Sequence, residues 1–140
     1  GQNGNGYAGG GDYTEGVSSS GTMATWNGSA WAEGASLNTT RYANAGNGTV
    51  NAWLVFGGEC GSAPYPPQKD SEEFDGTAWS TKGNMLVGGA FGYAGGSGGT
   101  AVAGIGAGRY ALPAGNASCV EEWNVCNPVN QGIYNFTKSL

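Results

Sequence analysis

The chain contains no histidine. That removes the side chain that most often acts as a general base near neutral pH, the commonest metal ligand, and any Ser-His-Asp triad. Cys-His zinc sites go with it. Charge is also sparse. Only 11% of the 140 residues are charged, and the five cations, Arg41, Lys69, Lys82, Arg109 and Lys138, form no basic stripe. Phosphate-backbone binding and attachment to an anionic bilayer lack their driving force, so neither a nucleic acid partner nor membrane insertion is expected. The net charge of −5 reads as surface solubility. No apolar run approaches the roughly 20 residues of a spanning helix; the densest, Ala52 to Phe56, has strand length. The phosphate-cradling G-x-x-x-x-G-K-S/T motif is missing, and no cofactor is expected. The opening GQNGNG has no initiator Met, signal peptide or basic targeting segment, which reads as a mature product or a fragment without its leader.

What is abundant is glycine, 29 residues, together with 11% aromatics. Each glycine costs a helix about 1 kcal/mol relative to alanine, so helices are disfavoured throughout. A disordered chain would be rich in charge and poor in aromatics, so a folded, glycine-rich all-β protein is expected.

The aromatics recur. Residues 26–31 read WNGSAW and residues 74–79 read FDGTAW, 48 residues apart. Gly9-Gly10 and Gly57-Gly58 each stand 16 positions before the aromatic that opens these motifs. A third, blurred copy, Glu121-Glu122-Trp123-Asn124, follows Glu72-Glu73-Phe74-Asp75 at an offset of 49. Repeats of this period indicate propeller blades or solenoid units. One domain, residues 1–140, is predicted in three units, about 1–48, 49–96 and 97–140, the third degenerate. Each unit is expected to hold four short antiparallel strands. In the second, Thr49–Phe56 reads as one buried strand, Ser71–Phe74 and Ala78–Thr81 as a hairpin, and Phe91–Ala94 as the fourth strand. In the first unit, Met23–Trp26 and Ala30–Glu33 form the hairpin and Thr40–Ala45 the fourth strand. Asn27-Gly28 and Asp75-Gly76 signal type I′ turns, with Gly28 and Gly76 at positive φ. The third copy starts near Thr100–Ile105 and ends with Ile133–Phe136. Trp26 with Trp31, and Phe74 with Trp79, are expected as cross-strand pairs that pack between sheets; a sugar-stacking platform is the alternative.

A hydrophobic run closed by Gly-Gly, then a spaced aromatic and a spaced Trp, resembles the Kelch β-propeller repeat. EEFDGTAWSTKGNM and LVFGGE are more similar to a Kelch-like repeat found in many phage and environmental bacterial proteins. The likeness covers most of residues 1–100. It implies three blade-like units, a partial propeller or a subunit completed by assembly. The third unit departs from the pattern at Val125 and Pro128.

Candidate sites are few. The adjacent pairs Glu72-Glu73 and Glu121-Glu122 point to opposite faces of a strand, so neither forms a catalytic dyad by itself. A structural role is expected, and no catalytic residue or metal site is assigned. The loop carboxylates Asp12, Glu15, Glu59 and Asp70 lack calcium-loop spacing. Cys119 and Cys126 flank the degenerate hairpin and form a candidate disulfide, with Cys60 left over; three reduced thiols are the alternative. N-glycosylation sequons begin at Asn27, Asn38, Asn47, Asn116 and Asn135; Asn27 is expected at a hairpin tip and Asn38, Asn47 and Asn116 in accessible loop-like sequence, where turn formation alone also explains asparagine.

The expectation is a non-enzymatic structural or adhesion subunit of an extracellular or virion assembly such as a fibre, filament, tail or capsid decoration. It would self-associate through its end faces and terminal segments and carry glycans if it is glycosylated. The alternatives are a lectin-like propeller using loop aromatics such as Tyr13 and Tyr65, and a glycosidase-type fragment.

Overall fold

The computed structural model describes residues 6–9, 20–60, 66–91, 96–111, 115–124 and 133–135. They are all-β, in three small antiparallel sheets, none of which closes on itself. The first sheet holds β1 (Gly6–Gly9), β2 (Met23–Trp26) and β3 (Trp31–Glu33). The second holds β4 (Ala45–Thr49), β5 (Ala52–Phe56), β6 (Ser71–Phe74) and β7 (Trp79–Thr81), neighbours in chain order. The third holds β8 (Gly96–Gly99), β9 (Ala103–Ala111), β10 (Gly115–Asn124) and β11 (Ile133–Asn135), again a meander.

The alternation of β5 positions the three sheets. Leu54 and Phe56 join Ala45, Met85, Phe91, Ala101 and Trp123 in a core between the second and third sheets. Val55 lies on the opposite face, in a core with Met23, Leu37, Phe74 and Trp79, against which Trp53 packs half-buried. A strand buried on both faces must be apolar at successive positions, which is why Leu54-Val55-Phe56 shows no polar alternation. Phe56 and Phe91 meet edge-on, with ring centroids 5.4 Å apart.

Several strand assignments need correction. Thr49–Phe56 is not one strand. Val50 and Asn51 form a turn, so β4 and β5 are a hairpin with Thr49 opposite Ala52. Thr40–Ala45 is not a fourth strand of the first sheet: Arg41 and Tyr42 make only single bridges, to Ser20 and Glu59. The boundary between residues 48 and 49 falls inside β4, which pairs with β5. Three strands of the first sheet lie among the described residues, against four expected. The third sheet opens at β8, before Thr100. Phe91 is a core residue, and 92–94 lie outside the described residues.

The two hairpins that carry the aromatic pairs also differ from expectation. Each is closed by four residues, 27–30 and 75–78, with Trp26 opposite Trp31 and Phe74 opposite Trp79. Only the glycines take positive φ, 103° at Gly28 and 99° at Gly76. The leading side chain does the rest. Asp75 Oδ1 accepts from the amides of Thr77 (2.8 Å) and Ala78 (2.9 Å). Asn27 Oδ1 accepts from those of Ser29 (2.9 Å) and Ala30 (3.0 Å). This is an Asx turn rather than a type I′ turn, because the side chain takes the place of a second left-handed residue. Gly76→Val is expected to destabilise the fold by about 1 kcal/mol or more, measured by thermal unfolding.

The same hydrogen bonds from Ala78 and Thr77 hold the Asp75 carboxyl below the usual aspartate range. Its ionised form is therefore favoured in the folded state. The turn's contribution is complete above the ordinary aspartate pKa and is lost as pH falls through the lowered folded value. Asp75→Ala should remove that part of the acid dependence, read by comparing melting temperatures of the two proteins across the acid range.

Candidate functional site: two carboxylate joints between sheets

The loop that follows each hairpin turns back along the strand that opened it. Three backbone hydrogen bonds fix this path in the first sheet: Gly34 N to Met23 O (2.8 Å), Leu37 N to Gly21 O (2.9 Å) and Arg41 N to Ser20 O (3.3 Å). Forty-eight residues later the same three appear: Lys82 N to Ser71 O (2.8 Å), Met85 N to Lys69 O (2.8 Å) and Gly89 N to Gln68 O (3.3 Å). Each returning loop presents free amides toward the next sheet.

A buried glutamate receives them. β6 sets Glu72 toward the first sheet, opposite Val55, and Glu73 toward the other face. Glu72 is fully buried. Its Oε2 accepts from Asn38 N (2.7 Å), and its Oε1 accepts from Thr39 N (3.0 Å) and Arg41 Nη2 (2.8 Å). Arg41, also fully buried, donates from Nη1 to the carbonyls of Gly57 and Asp70, both at 3.0 Å, and from Nη2 to the Asp70 carboxylate. A charge removed from water survives only when paired and hydrogen-bonded, and this pair meets both conditions. Glu73, by contrast, pairs with the half-exposed Lys82 at 3.1 Å.

The second joint uses the same parts in another arrangement. Glu121 of β10 accepts from Leu86 N (2.9 Å) and Val87 N (3.2 Å), which stand 48 residues after Asn38 and Thr39. Residue 89, in the place of Arg41, is glycine. The guanidinium comes instead from Arg109 of β9, whose Nη1 lies 3.3 Å from Glu121 Oε1. A Cβ on Gly89 would stand 2.2 Å from Arg109 Cδ, so the missing side chain is what lets Arg109 pass. Arg109 Nε has no partner, which leaves this joint less complete than the first.

The other expected site residues distribute as follows. Trp26–Trp31 and Phe74–Trp79 form ring pairs with centroids 5.5 and 5.3 Å apart. Phe74 and Trp79 are buried between the first two sheets, and Trp79 Nε1 donates to Ala35 O at 2.8 Å. Trp31 is 56% exposed. Of the sequons, Asn27 is exposed at its hairpin tip. Asn38 is exposed, but its Nδ2 donates to Trp79 O at 3.0 Å. Asn47 is corrected: it lies in β4, 3% exposed, with its amide unpartnered under Gly104, and cannot accept a glycan in the folded chain. Asn116 lies in β10 rather than a loop, and Asn135 in β11; their side chains are outside the described residues.

Cys119 lies in β10, and Cys126 is outside the described residues, as are Tyr13, Tyr65, Asp12 and Glu15. Cys60 is a free thiol whose Sγ accepts from Gln68 Nε2 at 2.9 Å. Glu59 accepts from the Tyr42 hydroxyl at 2.7 Å, and Asp70 is held by Arg41, so both of these loop carboxylates are committed within the protein. No cluster of three or more metal-ligating side chains occurs among the described residues. Sequence reading missed both arginines and both returning loops. A scan against protein-family models finds no match to the chain, and a search of curated proteins finds none either.

Proposed function

We propose that this chain is a non-enzymatic structural or adhesion module, a subunit of an extracellular or virion assembly, whose three sheets are Kelch-like propeller blades. One observation carries the reading. Among the described residues the buried charged groups are committed within the protein: Glu72, Glu121, Arg41 and Arg109 at the joints between sheets, and Glu59 to the Tyr42 hydroxyl. Glu72 has its oxygens engaged by two amides and a guanidinium, an arrangement that holds a carboxylate still and does not free it to move protons. Propellers run from about 4 to 8 blades, so three units fit a piece that is completed by further units. The exposed Trp31 ring favours a second reading, a lectin-like module that stacks sugars on aromatic faces.

Electron microscopy of the purified chain, together with a glycan array and a panel of glycoside substrates, separates these readings. The structural reading expects ordered particles or filaments, with no glycan bound and no substrate cleaved. Saturable glycan binding that Trp31→Ser abolishes would establish the lectin reading, and substrate turnover would overturn both.

A further inference from the structure

We infer that the chain associates head to tail with a second copy, the outer face of the third sheet of one chain packing on the Trp26–Trp31 face of the next. The internal interfaces bury the same kinds of face that the two ends of the stack expose. Where the second sheet meets the third, Leu54 and Phe56 of β5 pack against Trp123 of β10. Strand register gives the corresponding residues at the two ends of the stack. Trp53 lies opposite Phe74, and Gly104 opposite Trp123, so Ile105 stands where Leu54 does. Cβ atoms on Gly104 and Gly106 would meet Asn47 and Phe56 of the second sheet, so Ile105 between them points away from it. Ile105 is 46% exposed. At the other end, Trp26 and Trp31 hold the positions of Phe74 and Trp79, on the face of β2 opposite to the core residue Met23; Trp26 is half-buried and Trp31 is 56% exposed. One end of the stack thus carries a smaller version of the donor face, Ile105 for Leu54 and Ala107 for Phe56, and the other end carries the aromatic acceptor face of the interface already built inside the chain. A contact between two different faces leaves one of each free, so it propagates into a filament or closes into a ring.

The joint differs from the internal ones in one respect. Position 24, which corresponds to Glu72, is alanine. No carboxylate waits there to capture loop amides, so the contact between copies rests on apolar packing and is weaker and concentration-dependent.

This inference rests on the structural reading above and is tested by mass. Light scattering coupled to size exclusion should show wild-type mass rising above that of one chain across a dilution series. Trp31→Ser and Ile105→Ser should each be monomeric, with the unfolding midpoint of the wild type at concentrations low enough for the wild type to be monomeric too. An equimolar mixture of the two should regain a two-chain species, because each supplies one intact face. Ala24→Lys, which keeps both rings and adds a charge to the same face, should behave as Trp31→Ser does. A wild-type monomer at every concentration overturns the inference, and so does association that survives these substitutions. Association lost in Trp31→Ser but kept in Ile105→Ser, with no rescue on mixing, replaces it with a symmetric contact between two Trp faces. Particles that persist in these variants overturn the inference alone and leave the structural reading standing. A wild-type monomer removes the particles that both expect, and glycan binding or substrate turnover overturns the structural reading, so the two failures are distinguishable.

Discussion

Glu72→Ala should destabilise the fold by about 3–5 kcal/mol, whereas Glu73→Ala, one residue along, should cost about 0–1 kcal/mol. The difference comes from the period of a β-strand. Adjacent side chains on β6 point to opposite faces, so one glutamate is sealed between sheets and the other meets solvent. Removing the Glu72 carboxylate strips the amides of Asn38 and Thr39 of their acceptor and leaves Arg41 with Asp70 as its one carboxylate partner. Domains of this size are stable by about 5–15 kcal/mol, so the loss is a large part of the total. It should appear as a melting temperature lower by about 10 °C or more. Glu121→Ala should fall between the two, because its bonds to Val87 and Arg109 are 3.2 and 3.3 Å long and Arg109 Nε has no partner. Thermal unfolding of the three variants checks the order. Equal effects at Glu72 and Glu73 would mean that the joint carries no energy.

How far the sequence was legible follows from these same residues. Glycine content and the WNGSAW and FDGTAW motifs pointed to short antiparallel strands, and the motifs marked both aromatic hairpins, because local turn chemistry is written in adjacent residues. The all-β class was therefore readable. The turn type was not. Asn27 and Asp75 were read for their backbone, whereas their side-chain oxygens cap the turn. Strand limits near Thr49 were missed because Thr-Val at 49–50 has high β propensity yet lies at a hairpin bend. A comparison of GTVNA at 48–52 with GTAVA at 99–103 would have shown that bend twice.

The joints were half legible. The recurrence of Glu72 and Glu121 was visible in the sequence, and so was the strand alternation that sends Glu73 to the other face. Their partners were not visible, because the acceptors bind backbone amides, which carry no sequence signature. The arginines also occupy unlike places: Arg41 comes from the loop before its glutamate and Arg109 from the same sheet as its own. Two cations that look scattered in sequence do the same electrostatic task, since each sheet joint sets one guanidinium against its buried carboxylate, from whichever side supplies it.

Leu54→Ala should cost about 2–5 kcal/mol, and Ile105→Ala less than about 0.5 kcal/mol, although register places the two residues alike in successive sheets. Leu54 has no exposed surface and packs between the second and third sheets. Its truncation leaves a cavity there that Phe56, Met85 and Trp123 must collapse into or leave open. Ile105 faces outward from the last described sheet and is nearly half exposed, so its truncation in the monomer removes little packing. Urea unfolding followed by tryptophan fluorescence measures both. The midpoint should fall sharply for Leu54→Ala at an unchanged slope, since the surface exposed on unfolding hardly changes. A small effect at Leu54 would mean that the second and third sheets are held by the Glu121 joint rather than by the core between them. The same measurement at rising protein concentration should separate Ile105→Ala from wild type. Only the wild type gains stability from a contact that Ile105 makes with a second copy, and mass action makes that gain depend on concentration.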